Sequence, residues 1–140
     1  MSSSTRAYSS DRRRRQAEQT RADVLRAAVK LFSTSGWSGT TLAAIAAEAG
    51  VAVETVYSGF GSKKNLLREA LDVSIVGDTL PVPLADRPEY LRLGEGSRAQ
   101  RARAGARLHR VTMERSARLW QTAREAATAD AEIAGWCREM

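Results

Sequence analysis

The sequence predicts an all-α fold, because its apolar residues recur at helical spacing and no stretch alternates as a strand does. Two stretches in the first half carry the i, i+3, i+4, i+7 pattern of one helix face. These apolar residues are Leu25, Ala28, Val29 and Phe32 in the first, and Leu42, Ile45, Ala46 and Ala49 in the second. All three prolines fall within residues 77–90 and so leave the helical stretches uninterrupted.

The first half is predicted to contain four helices. Helix 1 covers about residues 16–35 and stops at Gly36, and helix 2 covers residues 42–49. Helix 3 covers residues 53–59, after which Gly61 turns the chain and Ser62 caps helix 4 over residues 63–76.

The second half begins with a proline-containing linker over residues 77–90. The Ala- and Arg-rich run from Ser97 predicts a long helix, bent near Gly105 or divided near Thr112. Asp130 is the predicted cap of a final helix. The chain therefore divides into a disordered basic arm (1–15), a three-helix domain (16–62), and a connecting helix with a helical C-terminal region (63–140).

Residues 40–67 have the architecture of a helix-turn-helix, two short helices joined by a Gly turn and followed by a third. Thr40 or Thr41 can cap the first of them, and Gly50 can end it in the left-handed conformation. The small side chain of Ala46 lets the next helix cross close by. An ordinary helical hairpin would satisfy the same short pattern, so the flanking residues are needed to distinguish the two.

Those flanks carry a resemblance that runs from about residue 21 to residue 71, through LFSTSGW, TTLAAIAAEAGV, VYSGF and GSKKNLL. Over this range the chain resembles the TetR family of bacterial transcriptional regulators. The resemblance implies an N-terminal DNA-binding domain and a C-terminal effector and dimerisation region. It also implies a repressor that leaves its operator when a small molecule binds. The second half resembles the family much less specifically.

The third helix is the predicted recognition element. Its side chains that are not needed to seal the turn can face the major groove, and these are Val53, Glu54, Thr55, Tyr57 and Ser58. The resemblance carries base and phosphate contacts to Thr55, Tyr57 and Glu54, although Glu54 can also be explained as a favourable charge at a helix start. Two positions depart from the family, since Ala52 lacks a capping hydroxyl and Gly59 replaces a His or an aromatic residue.

Three further residues are candidates for phosphate contact. Lys63 matches the family's phosphate-contacting lysine, and its alternative is an ordinary exposed lysine. Thr40 or Thr41, at the start of helix 2, offers a hydroxyl beside free backbone N–H groups.

The N-terminal arm contains four consecutive arginines, Arg12, Arg13, Arg14 and Arg15. Such a block either remains a solvated tail or tracks phosphates beside the helix-turn-helix. The formal net charge of +6 is concentrated in the same half, where residues 1–70 hold 11 Lys and Arg against 6 Asp and Glu. This distribution favours an anionic partner for the N-terminal half.

The C-terminal region offers candidate effector contacts at Met113, Trp120 and Trp136, although Met and aromatic residues at helical spacing more often belong to the core. Family members continue beyond the equivalent of Met140 into helices that form the dimer. We therefore expect a homodimer in a full-length form, and for this chain a monomer that exposes apolar surface around Ile133 and Trp136.

Catalysis, metal binding and a resident cofactor are not expected, because Cys137 and His109 are the only Cys and His and no catalytic spacing occurs. No signal peptide or membrane span is evident, so we expect a soluble cytoplasmic protein associated with the bacterial nucleoid. The expected partners are double-stranded operator DNA and a small-molecule effector, with no membrane. The alternative function is a basic helical module that binds nucleic acid or an acidic partner without sequence specificity.

Overall fold

The computed structural model describes residues 3–139, with side chains described from residue 9 onward, and this part of the chain is helical without strands. Its seven α-helices are α1 (Ser3–Ser35), α2 (Leu42–Ala49), α3 (Val53–Phe60), α4 (Lys63–Val76), α5 (Pro88–Leu91), α6 (Arg98–Ala127) and α7 (Ala131–Glu139). Short 3₁₀ turns at Leu84–Asp86 and Arg92–Gly94 flank α5. Between residues 3 and 139, none of the helices has both the length and the apolarity that crossing a bilayer requires.

The helices predicted around the Gly turn are confirmed. The bounds of α2 and α4 are those expected, and α3 extends one residue further, to Phe60. Local hydrogen bonds fix the two helix starts. The Oγ1 of Thr41 accepts from the N–H of Ala44 at 3.1 Å, and the Oγ of Ser62 accepts from the N–H of Asn65 at 3.1 Å.

The prediction of a disordered arm is wrong for the described residues 3–15, because α1 runs continuously from Ser3. Arg and Ala are strong helix formers, and two acids offset the repulsion within the arginine block. The guanidinium of Arg14 lies 3.5 Å from the carboxylate of Asp11 and 3.9 Å from that of Glu18. Residues 1 and 2 of the predicted arm lie outside the described residues.

Helix α6 is a single continuous helix of 30 residues, so the division predicted near Thr112 is wrong. It begins with a capping box, in which Ser97 accepts from the N–H of Gln100 and the Gln100 side chain accepts from the N–H of Ser97. The predicted cap of α7 is confirmed, since Asp130 accepts from the N–H groups of Glu132 and Ile133.

The predicted linker is ordered by one buried arginine. The guanidinium of Arg87 donates to both carboxylate oxygens of Asp78, at 2.7 and 3.0 Å, and to the carbonyls of Leu80 and Val82. These hydrogen bonds hold the pKa of Asp78 below its ordinary value. The segment between α4 and α6 is therefore a closed loop tied at its base.

The core lies where α1, α4 and the C-terminal half of α6 meet, with α7 packed on α6. Its largest fully buried side chains from these helices are Val24, Phe32, Leu66, Leu67, Leu71, Leu119 and Ile133. The expectation of an exposed apolar surface at Ile133 is wrong, because this residue is fully buried and Trp136 is half-buried against the core. The buried residues of α6 lie between Ser116 and Ala126, so its N-terminal half extends beyond the core.

One buried hydrogen bond joins α6 to α1. Thr122 is 3 % exposed, and its Oγ1 donates to the carbonyl of Phe32 at 2.7 Å. We expect Thr122→Val to lower the free energy of unfolding by about 1–3 kcal/mol, because the nearly isosteric change removes the donor from a buried acceptor. Urea unfolding followed by circular dichroism would measure the loss. Thr34→Val is the control, since Thr34 is exposed and its hydroxyl donates within α1, and an equal loss in both variants would contradict the assigned role.

Candidate nucleic-acid interface

The two-helix unit closes tightly at Gly50. This residue has φ +71° and caps α2, and the N–H of Val51 donates to the carbonyl of Ala46 at 3.0 Å. From α3, Val56 and Phe60 are buried, so the helix is held by one face. Ala52 occupies the start of α3 without a side-chain cap, as the sequence indicated. The orientation of α3 therefore depends on packing more than on its own cap.

The opposite face of α3 is exposed, and it presents four of the five predicted recognition residues. Tyr57 is 54 % exposed, and Glu54, Thr55 and Ser58 are exposed with it. Val53 differs from the other four, because it is half-buried and packs against the core. The polar residues thus share a surface that is free to meet a partner, while their individual contacts with DNA stay predictions.

The two threonines at the start of α2 have different roles. Thr41 is exposed and caps the helix, so its hydroxyl and the adjoining N–H groups stay at the surface. Thr40 is buried, and its hydroxyl donates to the carbonyls of Leu31 at 3.1 Å and Gly36 at 2.7 Å. The proposed phosphate contact of Thr40 is therefore wrong, because its side chain is used within the α1–α2 connection.

Lys63 also faces inward in the structure. Its ammonium donates to the carbonyl of Trp37 and lies 4.2 Å from the centroid of the Trp37 ring. Desolvation lowers the pKa of Lys63 below its ordinary value, and the negative charge of the nearby Glu125 carboxylate offsets part of this shift. A phosphate contact by Lys63 stays a prediction, because this hydrogen bond uses only one of the three N–H donors of the ammonium.

One arginine of the N-terminal block lines a cleft that α1 shares with α3. Arg12, Arg13, Arg14 and Arg15 are all exposed on α1. A cleft of about 540 Å³ separates α1 from α3, and its lining includes Arg13, Gln16, Thr55 and Ser58. The structure thus brings one arginine of the block to the same cleft as two predicted recognition residues.

Arg21 holds the end of α3 and was not predicted from the sequence. Its guanidinium donates to the carbonyl of Gly59 at 3.0 Å, pairs with Glu69 of α4, and lies 4.4 Å from the centroid of the Phe60 ring. One side chain of α1 therefore joins α3 and α4. No local pattern marks this residue, because its three partners lie 38 to 48 positions away.

Glu125 of α6 fixes the turn that precedes α2, and it was also missed. Its carboxylate accepts from the N–H of Trp37 at 3.1 Å and from the N–H and hydroxyl of Ser38 at 3.2 and 3.0 Å. These hydrogen bonds, together with the positive charge of Lys63, hold the pKa of Glu125 below its ordinary value of 4.5. The C-terminal half of the chain thus contacts the helix-turn-helix through a charged side chain.

The predicted effector residues have different surroundings in the structure. Met113 is 41 % exposed on α6, whereas Trp120 and Trp136 are half-buried and pack against the core. These positions fit the core-packing alternative for the two tryptophans. A groove does occur on the C-terminal half, and it is lined by other residues, from α5 and the N-terminal half of α6.

Residues 24–70 match the family model described as bacterial regulatory proteins, tetR family. The match contains α2, α3 and most of α4, together with the part of α1 that packs against them. The chain has no significant match among curated proteins or among solved structures.

The lowered pKa of Glu125 predicts an acid-dependent loss of stability. Because its folded pKa lies below its unfolded value, the charged form stabilises the fold above that unfolded value, and this contribution disappears as the pH falls through the folded pKa. We expect Glu125→Gln to lower the melting temperature at pH 7 and to differ little from the parent at a pH below the folded pKa.

Melting temperatures of both proteins between pH 7 and pH 2.5 would measure this convergence. The matched control is Glu114→Gln, which removes an equal charge from an exposed pair with Arg110 on the same helix. A pH-independent difference between the parent and Glu125→Gln would contradict the assigned ionisation.

Proposed function

We propose that residues 24–70, which match the tetR family model, form the DNA-binding domain of a TetR-family regulator, and that the exposed face of α3 reads a specific duplex sequence in the major groove. The family consists of DNA-binding transcriptional regulators. Within that class, we propose a repressor whose affinity for its operator falls when a small molecule binds the C-terminal region. No catalytic step is part of this proposal.

One observation carries the proposal, the shared cleft between α1 and α3. Arg13 supplies a positive charge at the rim of this cleft, and Thr55 and Ser58 supply hydrogen-bonding groups from α3. Phosphate contacts fix the register of a protein on a duplex, and base contacts specify the sequence. Both kinds of group therefore lie where one duplex can meet them together.

The exposed side chains of α3 can recognise bases by hydrogen bonds to their edges and by contact with the thymine methyl. The hydroxyl of Thr55 can hydrogen-bond a base edge, and its methyl can contact the methyl of thymine. Glu54 can accept a hydrogen bond from the amino group of cytosine, and Tyr57 extends the surface with a phenolic hydroxyl. Thr41 and the N-terminus of α2 then provide the phosphate contact that Thr40 cannot make.

Two parts of the proposal concern assembly and control. Helix-turn-helix readers in dimers bind half-sites about 34 Å apart, so we propose that the protein binds a palindromic operator as a homodimer. We propose that the effector signal reaches α2 through α6, because Glu125 connects α6 to the turn before α2 and Thr122 connects α6 to the C-terminal part of α1.

A basic helical module without sequence preference is the second candidate function, and the exposed arginine block of α1 favours it. The two functions differ in one measurable property. A sequence reader must prefer one duplex over random DNA at a fixed salt concentration, whereas a purely electrostatic binder must not. Selection of bound sequences from a random duplex library would supply the preferred site and separate the two candidates.

We predict that Thr55→Ala weakens binding to the selected duplex by roughly 1–3 kcal/mol and relaxes preference at one base position. The reason is the loss of a side chain that contacts a base edge. Fluorescence anisotropy with the selected duplex and with single-base variants would measure both effects. Thr128→Ala is the control, since Thr128 is exposed at the C-terminal end of α6. An unchanged base preference in Thr55→Ala would contradict the proposed placement of α3 in the major groove.

We predict that replacing Arg12, Arg13, Arg14 and Arg15 with Ala weakens binding to selected and random duplexes alike. Each lost phosphate contact should reduce the slope of log affinity against log salt concentration by roughly 0.9. Alanine preserves helix propensity, so α1 should remain helical. Anisotropy titrations at several salt concentrations would give the slopes.

The control for this series removes four arginines from α6, namely Arg98, Arg101, Arg110 and Arg118, which are also exposed. It changes the net charge by the same amount at a different place on the molecule. Equal slopes in the two variants would mean that net charge acts without regard to position, and that the block makes no phosphate contact.

A further inference from the structure

A groove of about 500 Å³ runs along the N-terminal half of α6, beyond the core. Ala104, Leu108 and Val111 of α6 are half-buried and form its apolar floor. Glu89 of α5 and Arg92 of the following 3₁₀ turn form the wall supplied by the loop between α4 and α6. This groove is separate from the predicted effector residues and from the exposed face of α3.

The rim of the groove is strongly basic. It carries four arginines and one glutamate, a formal net charge of +3, and its arginines are Arg92, Arg103, Arg107 and Arg115. All four are exposed at the opening of the groove. Such a concentration of like charge around an apolar floor attracts an anion electrostatically.

Among the side chains that the structure describes, three of these guanidinium groups have no acidic partner. Among the side chains described, from residue 9 to residue 139, no carboxylate lies within ion-pair distance of Arg92, Arg103 or Arg107. Arg115 differs from them, because it lies near enough to the carboxylate of Asp78 to act on it electrostatically. Arg103 and Arg107 are one helical turn apart on the same side of α6, a spacing that lets both approach one bound group.

We propose that this groove binds a small amphipathic acid, with its carboxylate between Arg103 and Arg107 and its apolar chain on Ala104, Leu108 and Val111. The guanidinium fork matches a carboxylate in a bidentate arrangement, and the floor excludes water from an alkyl chain. The volume lies within the range of small-molecule sites. A nucleic acid would engage the arginines and leave the floor unused, so the combination of both surfaces favours the acid.

This inference does not depend on the proposed DNA function, because binding to the groove is measured without DNA. Equilibrium dialysis of the whole chain with radiolabelled decanoate, kept below its micellar concentration, would give the affinity and the stoichiometry. We expect saturation near one decanoate per chain. Acetate, which has the charge without the chain, and decanol, which has the chain without the charge, should each compete at least roughly tenfold less effectively.

The charge variant is the double replacement Arg103→Gln and Arg107→Gln, which keeps long polar side chains. It should weaken decanoate binding by roughly tenfold or more. The matched control is Arg110→Gln with Arg118→Gln, which removes two charges from α6 outside the groove lining and should leave the affinity unchanged. Equal weakening in both double variants would overturn the proposal in favour of general charge attraction.

A third variant, Ala104→Phe, fills the floor without changing the charge and keeps a residue that a helix accommodates. It should abolish saturable binding while the helical content, checked by circular dichroism, is retained. Undiminished binding in Ala104→Phe, decanol competing as well as decanoate, or no saturable binding to the parent chain would each overturn the proposal.

Discussion

Helices α2 and α3 have eight residues each, fewer than the roughly 12 to 15 that an isolated helix needs to be stable in water. Their geometry is therefore supplied by the longer helices around them. Arg21 of α1 joins the end of α3 to α4, and Glu125 of α6 holds the turn before α2. Between these two contacts, the buried side chains of Ile45 and Val56 keep the pair closed.

The Arg21 and Glu125 contacts, which orient α3 and α2, differ in their chemistry. The Arg21 contact combines an ion pair, a backbone hydrogen bond and stacking on Phe60. The Glu125 contact is a single ionised carboxylate that accepts three hydrogen bonds from a turn. The Glu125 contact therefore depends on the ionisation of one carboxylate, and it weakens when that carboxylate is protonated in acid.

Much of the N-terminal fold was predictable, because its signals are local. The apolar spacing, the cap residues Thr41 and Ser62 and the left-handed Gly50 act within a few residues of the helices they define. The long helix α6 kept its register past Gly105, since its neighbours are strong helix formers and one glycine costs only about 1 kcal/mol. The sequence did not predict the helical start of α1, because its polar residues present no apolar stripe and only their helix propensity indicates a helix.

The candidate site was predictable only in part. Glu54, Thr55, Tyr57 and Ser58 reached the surface because the apolar residues of α3 are packed on its other side. Thr40 and Thr41 are chemically equivalent in the sequence, and only the fold buried one of them. Lys63, Arg21 and Glu125 are set by partners 26 to 88 positions away, and no pattern within a helix encodes such contacts.

Because α6 is one continuous helix, the number of residues in it fixes how its two ends are oriented relative to each other. The helix carries the basic groove near its start and Glu125 near its end, and each residue of an α-helix turns by about 100° and rises by about 1.5 Å. One inserted residue between Val111 and Glu125 would leave both halves helical but swing the carboxylate a quarter of a turn away from Trp37. Changes in length there are compatible with both features only in steps close to whole turns, such as seven residues. The length of α6 thus sets the orientation of the basic groove relative to Glu125.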